Sequence, residues 1–283
     1  GVAAKDISFF SHGTTVGTNA LLEEKGAKTG LLVTQGFRGI YEVMEQTRGY
    51  GPATYDLFFE KPRLLAPPYY TEEIPERVDF RGNALKPIDV EAARVAIKRL
   101  KKKGVESVAV CFLFSFLNPD HELKIKELFA TEFPEARLSL SYEVLPQIRE
   151  FYRLSTTVIN AYIQPVMSSY LSRLESRMRE LGVTTPKLYI MQSNGGVSTF
   201  KGSAEKPVAT VLSGPAGGVI ASIGTCERVG INNTITFDMR GRLVNHLEQL
   251  SLSYYDKQSI GSLVGRVAYD TEAVQGFMGQ LTG

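Results

Sequence analysis

From about residue 7 to about residue 237 the chain alternates short apolar runs with amphipathic stretches, and this alternation constrains its fold more than any other feature. Strands are expected at residues 7–10, 29–34, 105–114, 137–142, 187–191 and 233–237. Helices are expected at 16–25, ended by Gly26, and at 38–46. Others follow at 90–103, capped by Asp89 and stopped by Gly104, at 119–133, and along 147–181 with room for a kink at Pro165. A last one runs from Ser213 to about Val229. Strands that alternate with helices imply βαβ units and a largely parallel sheet, so the fold class is α/β. Residues 49–87, with Pro62, Pro67, Pro68 and Pro75, read as an irregular excursion or a short-stranded insertion.

Composition narrows the function. A formal net charge of +2 gives no special affinity for nucleic acid or acidic membranes. Cys111 and Cys226 are far apart and form no CxxC, which suits buried thiols in a reducing compartment. Three scattered histidines argue against a His-rich metal site. No apolar run approaches the ~18 residues of a membrane span and no signal peptide opens the chain, so a cytoplasmic location is expected. The chain opens without Met and enters a strand almost at once, so its first domain is expected to be cut at the N-terminus.

Three glycine- and hydroxyl-rich segments are candidates for ligand contact. His12-Gly-Thr-Thr-Val-Gly-Thr-Asn19 surrounds a helix start, which offers free N–H groups and a positive dipole end to an anion. It serves equally as a plain helix cap with Thr14 or Thr15 as N-cap. Gln192-Ser-Asn-Gly-Gly196 follows a strand, as a ligand loop in an α/β sheet does, or is a turn driven by its glycines. Ser213-Gly-Pro-Ala-Gly-Gly218 combines a cap, an early-helix proline and glycines, which fit either phosphate contact or close helix packing. Fourth, residues 233–237 deliver Asp238 to a strand end, where a carboxylate can hold Mg²⁺ or orient a nucleophile. A glycine turn should follow there, yet Arg240 occupies the position where only a residue without Cβ lets backbone approach phosphate. Arg149, Glu150 and Arg153 read as a solvated or salt-bridged helix face, and Tyr69 and Tyr70 as surface aromatics.

Together these segments resemble the hydantoinase A/oxoprolinase family over about residues 1–239. The resemblance is carried by residues 12–23 with Lys25-Gly-Ala27, by Gly36-Phe-Arg38, Tyr55-Asp-Leu-Phe-Phe59 and Pro75-Glu-Arg-Val78, and by Val110-Cys-Phe-Leu-Phe114. Asn118-Pro-Asp-His-Glu122, Ser141-Tyr-Glu-Val-Leu-Pro146, Ser155 to Pro165, Met191–Gly196, Leu212–Gly218 and Ile235–Met239 complete it. It implies a partial actin-like, sugar-kinase-like ATPase fold, with a largely parallel sheet and helices. It implies ATP and Mg²⁺ as cofactors, a cyclic amide or ketone as substrate, and a hydantoinase B-type subunit as partner. An amide is a poor electrophile until its oxygen carries a phosphoryl group, and ring-opening hydrolysis then follows. Carried over residue by residue, His12, Gly13, Thr14, Thr15, Thr18, Asn19, Asn194, Gly195, Gly196, Ser213 and Gly214 would line the substrate or nucleotide cleft. Asp238 would be the catalytic and metal-binding carboxylate.

Two departures stand out. The family's opening Asp-x-Gly-Gly-Thr-x-Thr-Asp loop is absent, and its second phosphate loop stops at Phe237-Asp-Met239. Residues 241–283 instead resemble an ABC exporter fragment from its coupling-helix region, through Tyr255, Asp256, Gly261, Leu263, Arg266, Asp270, Thr271 and Glu272. The expected division is therefore 1–145, an N-terminal-type α/β region; 146–239, the start of the catalytic-type domain; and 240–283, a helical tail joined at a chimeric seam. A non-catalytic α/β binding module with a helical anchor is the alternative, and a transporter piece has the tail alone in its favour. With both phosphate loops missing or broken, this chain is expected not to turn over ATP. Release of radiolabelled phosphate at the rate of an intact family enzyme would overturn that.

Overall fold

The computed structural model describes residues 3–44 and 63–230, and the structural statements below concern those residues. They fall almost entirely within one compact unit, Gly1–Glu42 with Leu65–Thr236; a second unit, Val43–Leu64 with Phe237–Gly283, lies mostly outside the described ranges. The expected strand at 233–237, Asp238, the seam at Arg240 and the tail all lie outside them too. In chain order the elements are β1 (Phe10–His12), α1 (Val16–Leu22), β2 (Thr29–Thr34), α2 (Ile40–Val43), β3 (Thr71–Ile74), β4 (Arg77–Val78) and β5 (Ala84–Lys86). There follow α3 (Val90–Lys102), β6 (Ser107–Cys111), α4 (Asp120–Glu132), β7 (Arg137–Leu140) and α5 (Ser141–Val144). The last are α6 (Glu150–Glu180), β8 (Leu188–Met191), β9 (Val197–Thr199), α7 (Phe200–Glu205) and α8 (Ser213–Val229).

β2 is buried along its whole length, as a central parallel strand must be. It lies in a four-stranded, all-parallel sheet of order β3-β2-β6-β7. Because strand side chains alternate, Leu32, Val108, Val110 and Leu140 point to one face. There they pack with Ala93, Ala96, Ile97 and Leu100 of α3 and with Ile125, Leu128 and Phe129 of α4. Asp89 caps α3 by accepting from Ala92 N at 2.9 Å, and Gly104 follows the helix at φ +69°, both as expected. β3 was hidden in the proline-rich stretch: Pro67 and Pro68 stop just short of it, and it adds as an edge strand beside β2. β4 and β5 pair as a small antiparallel ribbon.

The 31-residue α6 unites the fold. Its first half packs on the four-stranded sheet and is buried on all sides, with Phe151, Leu154, Val158, Ile159, Ala161 and Ile163 among the buried residues. Its second half sends Met167, Leu171 and Met178 against Leu188 and Ile190 of a second sheet, β1-β8-β9. Pro165 sits inside the helix without ending it. Asn160 and Thr157 in the buried half are satisfied. Asn160 donates to Ser139 Oγ at 3.0 Å and accepts from Val208 N at 3.1 Å, and Thr157 donates to Arg153 O at 2.7 Å.

Arg153 corrects the expectation of a solvated face, because it is fully buried. Its Nε donates to Ser141 Oγ at 3.2 Å and its terminal nitrogens to Gln147 O and Phe112 O at 2.9 and 2.8 Å. Glu122, also fully buried, accepts from Phe112 N at 3.0 Å and from Ser141 Oγ at 2.6 Å. Burial pushes the Glu122 carboxyl above the ordinary range, while bonds from Ser141 and the Phe112 and Tyr142 amides pull it back. Burial likewise pushes the neighbouring Cys111 thiol up to about 12, so it packs as a neutral group. Cys226, by contrast, is only half-buried on α8.

Gly26 does not end a helix, since α1 stops at Leu22. It stays bare because a Cβ there would collide with the ring of Tyr162 on α6, where Ala27 N also bonds Tyr162 O at 2.8 Å. Gly26→Ala should therefore destabilise the fold by about 1–3 kcal/mol through overpacking. Urea unfolding should show a lower midpoint at unchanged slope, and an unchanged midpoint would refute the steric reading.

Candidate functional site

β1 and β8 run parallel in register, Phe10 beside Leu188 and His12 beside Ile190. Their carboxyl ends therefore open on the same edge, and the segment after each strand is one of the glycine- and hydroxyl-rich motifs. After β1, His12 completes the strand rather than the turn, and Gly13, Thr14 and Thr15 lead into α1. Thr15 stands at the N-cap position, while the Thr14 hydroxyl accepts from Val16 N at 3.2 Å. After β8, residues 192–196 form a hairpin turn into the antiparallel strand β9. Gln192 N and O bond Gly196 O and Gly195 N, and Gly195 takes φ +85°, which suits glycine. Asn194 Oδ1 accepts from Gly196 N at 2.9 Å, so that oxygen closes the turn.

The third motif comes to the same edge from 200 residues away in the chain. Ser213 is not a cap: Leu212 precedes α8 in the left-handed region, and the Ser213 hydroxyl donates to Thr14 O at 3.2 Å. Leu212 N donates to Thr18 Oγ1 at 3.0 Å, joining α1 to the start of α8. A Cβ on Gly13 would lie 3.7 Å from Gly214 Cα, and one on Gly214 would lie 3.4 Å from Thr15 Cγ2. Ser193 ties the hairpin to the segment before α8 through Ala209 O, at 2.8 Å from its amide and 2.9 Å from its hydroxyl. Gly217 and Gly195 bring α8 against Met191 and the hairpin against Ile220.

Two helix N-termini thus abut where Gly13 meets Gly214, and the side chains meeting there, Thr14, Thr15, Thr18 and Ser213, are neutral. Both helix dipoles present their positive ends, an arrangement that an anion relieves. Backbone N–H groups at the two helix starts, with close approach at two glycines, fit a phosphate-bearing group. It supplies no carboxylate for Mg²⁺, and Asp238, the residue assigned that part, lies outside the described residues.

Of the other expected contacts, Thr14 and Thr18 are buried and their oxygens hold protein amides. Asn19 lies on the exposed side of α1, and Asn194 and Gly196 are exposed on the hairpin. One neighbour went unforeseen: Tyr170 on α6 places its hydroxyl 2.6 Å from His12 Nε2. No motif contains it, and only the packing of α6 on the second sheet brings it there. No helix among the described residues is long and apolar enough to cross a membrane.

The profile of the hydantoinase/oxoprolinase N-terminal region matches residues 1–133, and that of hydantoinase/oxoprolinase matches residues 153–241. The alpha subunit of caprolactamase from Pseudomonas jessenii is 36% identical over 236 residues, 83% of this chain and 34% of that protein. 5-Oxoprolinase 1 of Arabidopsis thaliana is 35% identical over 261 residues, again 83% of this chain but 19% of the relative. The crystal structure of ATP-dependent caprolactamase from P. jessenii superposes with a TM-score of 0.76 at 35% identity, covering 84% of this chain and 34% of that one. The chain therefore spans a third or less of the length of these relatives.

The Thr18 hydroxyl is a structural joint whatever the site binds. Thr18→Val leaves the Leu212 amide unsatisfied in a buried position and should cost about 1–3 kcal/mol. Denaturant unfolding of the variant measures this, and a stability equal to wild type would show that the joint is dispensable.

Proposed function

The chain belongs to the hydantoinase/oxoprolinase family, and we propose that it carries the N-terminal part of an ATP-dependent enzyme that opens a cyclic amide by hydrolysis. The observation that carries this reading is the convergence of three glycine- and hydroxyl-rich segments on the carboxyl edge of β1 and β8. ATP, when bound, would supply a phosphoryl group to the amide oxygen, making the carbonyl carbon electrophilic enough for water to add; the ring nitrogen would then leave, and the acyl phosphate would be hydrolysed.

In this reading Gly13 and Gly214 leave the backbone bare for phosphate, and the starts of α1 and α8 present N–H groups and positive dipole ends to it. Ser213, Thr14 and Thr18 hold those two helix starts together. Tyr170 orients His12 at the rim, and the 192–196 hairpin forms the opposite wall. Asp238 is assigned the Mg²⁺- or water-orienting role, with residues 1–145 as the N-terminal-type region, 146–239 as the start of the catalytic-type region and 240–283 as the tail. The subunit designation of the caprolactamase relative supports a partner chain, which we assign to the hydantoinase B type. The substrate class, a lactam-like cyclic amide, rests on the names of the caprolactamase and 5-oxoprolinase relatives. A cytoplasmic location fits that assignment.

Calorimetric titration of the chain with ADP tests the cradle apart from turnover. Weak saturable binding is expected, reduced about tenfold or more in Gly214→Val, equivalent to about 1.4 kcal/mol. Circular dichroism would verify that the variant is folded. Equal binding by the variant, or none by the unaltered chain, would sink the assignment of this edge to phosphate.

A further inference from the structure

The carboxyl edge of the other sheet carries buried polar groups that take no part in the loop cluster. The connection leaving β2 leads to β3 on one side, whereas that leaving β6 leads to β7 on the other. Such a reversal opens a crevice beyond the strand ends of a parallel sheet, which is where ligands settle in open α/β folds. Here that reversal falls between Thr34, the last residue of β2, and the segment that follows Cys111 of β6.

Thr34 Oγ1 spans it, accepting from Leu113 N at 3.0 Å and donating to the buried carboxylate of Glu76, two residues beyond β3. The other oxygen of Glu76 lies 2.7 Å from Nδ1 of His121, in the first turn of α4. The Glu76 side chain has no exposure and that of His121 is nine-tenths buried. His121 Nε2 makes no hydrogen bond among the described residues, and the side chain keeps a tenth of its surface exposed. In a neutral ring, a carboxylate that receives Nδ1–H leaves the lone pair on Nε2. A clamp between β3 and α4 would need only the Nδ1 half of this ring.

We propose that this edge is a second ligand site, in which His121 Nε2 accepts a hydrogen bond from an N–H or O–H group of a small uncharged molecule. The Glu76 carboxylate behind the ring disfavours an anion there. The site is separate from the phosphate cradle: Arg153 bonds Phe112 O at this edge and Tyr170 meets His12 at the other. At 1.5 Å per residue those two points of α6 lie about 25 Å apart.

The test is ¹⁵N-histidine spectroscopy of the full chain, in which His12, His121 and His246 are the only histidines. Loss of one set of signals in His121→Asn assigns the resonances. Separate titrations use 2-pyrrolidinone for an N–H donor, 1,2-propanediol for an O–H donor and inorganic phosphate for an anion. The expected result is an Nδ1-protonated His121 whose Nε2 resonance shifts saturably with an uncharged probe, the tighter arm identifying the donor. In Glu76→Gln the other tautomer should gain population and the shift should be lost. An Nε2-protonated ring in the unaltered chain, a response to phosphate alone, or no saturable response to either uncharged probe would overturn the proposal. Because no nucleotide is present, the outcome is independent of the phosphate cradle.

Discussion

A guanidinium without exposed surface holds the fold together. Burying a charge costs several kcal/mol unless its hydrogen bonds are restored, and Arg153 restores them with three separate acceptors. Two belong to segments that have just left the sheet, Phe112 after β6 and Ser141 after β7. Glu122 completes the arrangement from α4: it takes the Phe112 amide while Arg153 takes the Phe112 carbonyl, so the chain can leave the sheet with both polar groups satisfied. Ser141 joins the two side chains, donating to Glu122 and accepting from Arg153. The start of α6 is thereby fastened to the carboxyl edge of the four-stranded sheet.

Everything at the second sheet depends on that fastening. Once its first turn is fixed, the rigid rise of the helix decides where Tyr162, Met167 and Tyr170 arrive. Tyr162 sets the closeness that requires Gly26, Met167 enters the second core, and Tyr170 reaches His12. The two carboxyl edges are thus connected by one helix, each with its own set of polar groups. One offers helix N-termini and bare glycine backbone, chemistry suited to an anion. The other holds an imidazole against a buried carboxylate.

Much of this was legible in advance. Asp89 and Gly104 bracket α3 as their chemistry requires, and the apolar strands at 29–34 and within 105–114 lie at the centre of the parallel sheet. The misreadings share a cause. Local sequence puts Arg153 on a solvated or salt-bridged face, because charged residues flank it and nothing local announces Phe112 O, Gln147 O and Ser141 as its partners. The prolines leave residues 49–87 open between an irregular excursion and a short-stranded insertion, and β3, β4 and β5 agree with the second, since an edge strand tolerates such a flank. Residue type makes Ser213 a cap, yet Leu212 in the left-handed region starts the helix and frees the hydroxyl for Thr14 O.

The sequence by itself determined the alternation of elements, the α/β class and the three glycine- and hydroxyl-rich segments, because periodicity, capping and turn chemistry act over a few residues. It also sufficed for the family, through the motifs that carry the resemblance. Only the tertiary structure decided which segments meet: Gly13 with Gly214, Thr18 with Leu212, His12 with Tyr170, Glu76 with His121. Those pairs are separated by 45 to about 200 positions, and no local preference encodes them. They follow from the burial of α6 against both sheets and from strand order, which bring distant strand ends to common edges.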